Sequence, residues 1–75
     1  MLKHDYNFGD DDTFRIYDPD YPNISFTVKI EYYGSGYRSF KVTMFFGRKY
    51  YDFMLEYDFK KLEDFCEYKM NEHGG

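Results

Sequence analysis

Apolar and polar residues alternate without interruption from Ile24 to Tyr32, which is the period of an antiparallel strand with one buried face. A second alternating run ends at Phe46, and a third runs from Lys49 to Tyr57. Together these runs predict a three-stranded antiparallel meander over residues 24–57.

Two turns determine how these strands pair. Residues 33–37 read Tyr-Gly-Ser-Gly-Tyr, a three-residue hairpin loop in which Gly36 takes the left-handed conformation. Gly47 and Arg48 form a two-residue loop with glycine at the position that a type II′ turn requires. The resulting core pairs are Ile30 with Phe40, Val28 with Val42, Phe26 with Met44, Met44 with Tyr51, Val42 with Phe53 and Phe40 with Leu55. All of them fall on one face, so turn chemistry and alternation support the same register.

After Tyr57 the apolar residues follow a helical period. Asp58 is a favourable N-cap, and a helix over residues 59–70 is expected to pack on the core face. Upstream, residues 13–17 predict a short edge strand, and residues 1–9 are expected to be mobile. The prediction is a single domain of residues 1–75 and of the α+β class, with a three- to four-stranded antiparallel β-meander and one C-terminal helix packed on one face.

The composition suits a small intracellular domain. Domains of this size bury only about 60% of the surface that the unfolded chain exposes, and the 25% of aromatic residues compensates with large side chains. The single cysteine excludes an internal disulfide and fits a reducing compartment. The polar start and the lack of a long apolar run predict a soluble cytoplasmic protein, in the host cytoplasm if the gene is viral.

Only one helix is available to cover the two faces of the sheet. The second face is therefore expected to be solvated, and it carries aromatic pairs at both ends with a lysine between them. The predicted partner-binding residues of this face are Tyr33, Tyr37, Lys41, Phe45 and Tyr50. Exposed apolar clusters often mark interaction sites, although aromatic pairs of this kind also strengthen small sheets. Both interpretations are open at this point.

The sequence predicts no enzymatic activity, no cofactor and no metal site. His4 and His73 lie near the termini, where frayed backbone would not hold a general base. Cys66 lies on the apolar stripe of the predicted helix, which favours a structural thiol. The acidic run at residues 10–12 lacks the spaced oxygen ligands of a calcium loop.

The net charge of −4 is unevenly distributed, because both ends of the chain are acidic and the middle is basic. Such segregation affects partner choice and association rate. The predicted acidic partner-binding residues are Asp10, Asp11, Asp12, Asp18, Asp20, Glu63, Asp64 and Glu67. We expect them to engage a basic groove of a nucleic-acid-handling enzyme, where carboxylates compete for the Lys and Arg side chains that contact phosphates.

In size, acidity and tyrosine content the chain resembles the phage-encoded counter-defence proteins, such as anti-CRISPR and anti-restriction inhibitors. The likeness is one of type, and no motif carries it. It implies an inhibitor that acts as a DNA mimic or as a steric block.

Two alternatives remain. In the first, the outer face binds single-stranded nucleic acid directly, with aromatic side chains stacking on bases and basic side chains contacting phosphates. The acidic pI near 5.0 argues against it. In the second, the aromatic face or the strand at residues 49–57 forms a homodimer.

Overall fold

The computed structural model describes residues 1–7 and 9–74. Its elements are β1 (Lys3–Asp5), β2 (Thr13–Tyr17), β3 (Ile24–Tyr32), β4 (Arg38–Phe46), β5 (Lys49–Glu56) and α1 (Phe59–Gly74). The strands form one antiparallel sheet in the order β1-β2-β3-β4-β5, so each strand pairs with its neighbour in sequence. The predicted α+β class, an antiparallel sheet with a C-terminal helix, is confirmed.

The predicted register is also confirmed. Every core pair expected across β3, β4 and β5 is present, from Ile30 with Phe40 to Met44 with Tyr51. Gly36 has a φ of 82° and Gly47 has a φ of 61°. No non-glycine residue in the described ranges has a positive φ, so Arg48 completes the expected type II′ geometry.

The predicted count of three to four strands is wrong, because β1 adds a fifth strand outside β2. Part of the segment 1–9 therefore pairs in the sheet instead of being free, and residues 13–17 are not at the edge. Residue 8 of that segment lies outside the described residues. Three polar residues are too few to give an alternating pattern, and β1 is instead placed by long-range contacts such as His4 stacked on Phe14, with ring centroids 6.4 Å apart.

The helix covers one face of the sheet, which we call the inner face. Leu62 and Cys66 have no exposed surface, and Phe65 meets Phe53 edge-on at 5.0 Å between ring centroids. The buried core comprises Phe14, Ile16, Ile24, Phe26, Val28, Phe40, Val42, Met44, Leu62, Cys66 and Met70. No helix in the described part of the chain has the length and apolar character needed to cross a membrane.

Both ends of the helix follow from local chemistry. Asp58 caps the first turn, since its Oδ1 accepts a hydrogen bond of 3.2 Å from the backbone N–H of Lys61. The helix continues to Gly74, beyond the predicted end at residue 70. In this added turn His73 packs against Phe46, with ring centroids 5.0 Å apart, and this tertiary contact has no local sequence signal.

Candidate functional site

The meander places its loops alternately at two ends of the sheet. The β1–β2 and β3–β4 loops lie at one end, which we call the hairpin end, together with the start of α1. The β2–β3 and β4–β5 loops lie at the other end, which we call the turn end. There the backbone N–H of Gly47 donates a hydrogen bond of 3.1 Å to the carbonyl of Asn23.

The acidic loop, Asp10–Asp12, is fixed to the hairpin end. The carbonyl of Asp12 accepts a hydrogen bond of 2.8 Å from the backbone N–H of Ile30. Its carboxylate accepts a second bond, of 3.0 Å, from the hydroxyl of Tyr32. This hydrogen bond to the carboxylate raises the pKa of the Tyr32 phenol, because it stabilises the protonated form. The acidic loop is therefore held beside the β3–β4 loop.

The tyrosine hairpin, residues 32–37, presents three aromatic side chains at this end. The turn closes through a hydrogen bond of 2.8 Å from the backbone N–H of Tyr33 to the carbonyl of Tyr37. The two rings pack at 5.4 Å between centroids. Tyr32, Tyr33 and Tyr37 nevertheless remain 58%, 45% and 58% exposed. The hairpin end thus combines an acidic loop and Tyr32 with Tyr33 and Tyr37, which line a groove with Met54 and Glu56 of the outer face.

The aspartates of the β2–β3 loop behave differently. The carboxylate of Asp18 is buried and lies 2.7 Å from the amino group of Met1. It also accepts a hydrogen bond of 2.9 Å from the backbone N–H of Asp20. These bonds, led by the one from the amino group, lower the pKa of Asp18. Asp18 is therefore used by the fold, and little of its carboxylate is exposed for the partner-binding role that the sequence predicted.

The helix acids lie on other surfaces. Asp64 pairs with Lys60 at 3.3 Å, and Glu63 is half-buried. Glu67 lines a groove of about 310 Å³ with Met1 and Asp20 at the turn end. The acidic residues predicted to bind a partner are thus divided among the hairpin end, the turn end and the helix. In the described part of the chain, only the acidic loop is joined by a hydrogen bond to an exposed aromatic side chain, that of Tyr32.

No helix of residues 1–7 and 9–74 lies over the outer face of the sheet. Phe45 and Tyr50 pack at 6.4 Å between ring centroids, and they remain 41% and 66% exposed. Lys29 and Lys41 lie directly opposite each other on β3 and β4, and both are exposed. Among the described residues, no carboxylate oxygen lies within 4.0 Å of either amine.

The cysteine and the two histidines, the side chains that could act as a nucleophile or a base, are buried or packed against aromatic rings. Burial raises the pKa of the Cys66 thiol to about 12, so it stays protonated at neutral pH. His4 and His73, expected at frayed termini, instead lie within regular elements, where His4 stacks on Phe14 and His73 packs at a tilt against Phe46. No group of three potential metal ligands occurs in residues 1–7 and 9–74.

Two exposed residues received no binding role from the sequence. Tyr32 contacts Asp12 across 20 positions of sequence, and no local pattern indicates such a contact. Met54 is 56% exposed and belongs to the outer face. The alternation of β5 was sufficient to place it there.

Comparison of the chain with protein-family models, with curated proteins and with solved structures finds no match. A function must therefore be argued from the geometry and charge of the surfaces described above.

Proposed function

We propose that the protein is a non-enzymatic binding module that engages a basic surface of another protein through its hairpin end. The observation that carries this proposal is the hydrogen bond between the Tyr32 hydroxyl and the Asp12 carboxylate. It joins the acidic loop to Tyr32, the first residue of the exposed tyrosine hairpin, and none of the other acidic residues makes such a contact in the described part of the chain.

The two components of this surface contribute differently to binding. Tyrosine is enriched in the cores of protein interfaces, because it buries a large rigid ring and keeps a polar tip. Exposed carboxylates attract a basic partner over distance and raise the association rate. A basic groove with an apolar wall is therefore the complementary surface for the hairpin end.

The partner class that best fits is a nucleic-acid-handling enzyme. Such enzymes place Lys and Arg side chains along the path of the phosphates, and the carboxylates of the acidic loop compete for the same side chains. Occupying the groove would block nucleic-acid binding without any catalytic step. A counter-defence inhibitor of the anti-CRISPR or anti-restriction type is the biological role that this chemistry fits.

The test compares two variants of equal charge. Asp10→Asn/Asp11→Asn/Asp12→Asn removes the acidic loop, and Glu63→Gln/Asp64→Asn/Glu67→Gln removes the same number of charges from the helix. Each tagged protein is used to capture binding proteins from host lysate, which are identified by mass spectrometry and titrated with the purified variants.

We expect at least one nucleic-acid-binding protein that is retained by the wild type and by the helix variant but lost by the loop variant. Its affinity should fall steeply with salt, since the attraction acts between exposed charges. Binding that survives both the loop substitution and high salt would contradict the proposal.

A second candidate function is supported by the opposed lysines of the outer face. Like charges directly opposite each other destabilise a sheet, so Lys29 and Lys41 are better tolerated if an anion lies between them. Phe45 and Tyr50 are exposed on the same face and offer a stacking surface for bases. Single-stranded nucleic acid would use both features.

This second candidate is tested by fluorescence titration with short single-stranded DNA and RNA at low salt. Lys29→Glu/Lys41→Glu should abolish binding, whereas the control Lys60→Glu/Lys61→Glu, of equal charge change, should retain most of it. Absence of binding by the wild type at low salt eliminates this candidate.

A further inference from the structure

The two edges of the sheet differ in how they are protected. The β1 edge is three residues long and reads Lys-His-Asp, whereas the β5 edge is eight residues long. β5 contains no proline, and its pairing with β4 runs one-to-one from Glu56 to Lys49 without a bulge. Short length, prolines, bulges and charged side chains are the usual devices that prevent edge pairing, and β5 has only the last of these, at Lys49, Asp52 and Glu56.

The β4–β5 turn shows which backbone groups of β5 are free. Phe46 and Lys49 close a two-residue turn, so they form a hydrogen-bonded pair. Alternate residues then bond to β4, and the N–H and C=O groups of Tyr50, Asp52 and Met54 point away from the sheet. In the described part of the chain, residues 49–55 have no backbone hydrogen bonds to any element other than β4.

Both faces of this edge carry accessible apolar side chains, and the outer face also carries Asp52 and Glu56. Tyr51 is 41% exposed on the inner face, and Phe53 and Leu55 are half-buried there. On the outer face Tyr50 and Met54 are 66% and 56% exposed. A strand added to this edge would cover these side chains as well as satisfy the free backbone groups.

We infer that β5 pairs antiparallel with β5 of a second copy of this chain, forming a continuous ten-stranded sheet. The two-fold axis that relates the copies is perpendicular to the sheet, so it maps each face of the sheet onto itself. Residues that oppose each other across the interface must therefore lie on the same face. The two registers of greatest overlap therefore place either Asp52 or Phe53 on the axis.

Charge selects between these registers. With Asp52 on the axis, the two Asp52 carboxylates oppose each other directly, which destabilises the pairing. With Phe53 on the axis, Asp52 opposes Met54 of the partner subunit, and Tyr51 opposes Leu55 of the partner subunit. The free N–H and C=O groups of Asp52 and Met54 are then in position to bond across the interface. The dimer has the Phe53-centred register and does not use the acidic loop, whereas Met54 and Glu56 line a groove with Tyr33 and Tyr37 of the tyrosine hairpin.

The test uses two substitutions at one exposed position. Light scattering during gel filtration over a concentration series should give a mass that approaches twice the chain mass of 9.2 kDa. Met54→Asp places a carboxylate opposite Asp52 of the partner subunit twice per dimer, and it should raise the dimer dissociation constant about tenfold. Met54→Lys places an ammonium there and should leave the dimer as tight or tighter.

Circular dichroism of both variants confirms that the monomer fold is retained. If both substitutions weaken the dimer equally, the Phe53-centred register is overturned, because in the other register position 54 opposes Tyr50 of the partner subunit. A mass of one chain at every concentration overturns the dimer itself, including the case in which β5 instead accepts an extended segment of another protein.

Discussion

Two groups of aspartates flank the short strand β2, and the structure uses them in different ways. At the turn end Asp18 is buried and bonded to the amino group of Met1. At the hairpin end Asp10 and Asp11 are exposed, and Asp12 is held by a tyrosine hydroxyl. Similar sequences therefore serve the fold in one case and remain largely exposed in the other. Burial and bonding partners distinguish the two roles, whereas charge does not.

The largest effect on stability is expected from a substitution in β2, the strand that the two groups of aspartates flank. Ile16 has no exposed surface, so Ile16→Ala should lower the free energy of unfolding by about 2–5 kcal/mol through lost burial and a residual cavity. Urea unfolding followed by circular dichroism measures the change. A loss well below about 1 kcal/mol would show that β2 is not packed as described.

Asp18→Asn should give the next largest effect on stability. The pKa of Asp18 is lowered in the folded protein, so its charge contributes stability above the ordinary value near 3.8, and this contribution is lost as the pH falls through the folded-state pKa. The substitution should lower Tm at neutral pH and make Tm less sensitive to acid.

Thermal melts of the wild type, Asp18→Asn and the matched exposed variant Asp10→Asn, taken from neutral pH to below pH 3.8, make this comparison. Asp10→Asn should follow the wild type closely. Equal behaviour of the two variants would remove the distinction between the two aspartate groups.

The smallest effect on stability is expected at the contact between the acidic loop and the tyrosine hairpin. Asp12→Asn removes the carboxylate that raises the pKa of Tyr32, so that pKa should fall towards its ordinary value of 10.0. Titration of the tyrosine ring signals by NMR measures the shift, with Tyr32→Phe to assign the signal. An unchanged titration of Tyr32 would mean that the two segments are not joined in solution.

The meander was predictable because its information is local. Each of β3, β4 and β5 alternates over many residues, and the turns at Gly36 and Gly47 fix the register between them. The helix was predictable for the same reason, from its period and from the N-cap at Asp58. The alternation of the strands and the chemistry of the turns agreed, and together they predicted how β3, β4 and β5 pair.

The remaining features depend on contacts between distant residues. β1 is too short to show a period, and it lies in the sheet because His4 pairs with Ile16 and stacks on Phe14. The division of the acids has the same origin, since Asp18 meets Met1 and Asp12 meets Tyr32 only after the sheet has formed. Sequence reasoning identified the charges but could not separate the structural one from the exposed ones.

The most direct test of the proposed binding surface is NMR chemical-shift mapping with the partner captured from lysate. We expect the amide signals of Asp10–Asp12 and of residues 32–37 to shift or broaden on titration, while those of Asp18 and Glu63 stay in place. Changes centred on the helix acids, or on Lys29 and Lys41, would contradict the assignment of binding to the hairpin end.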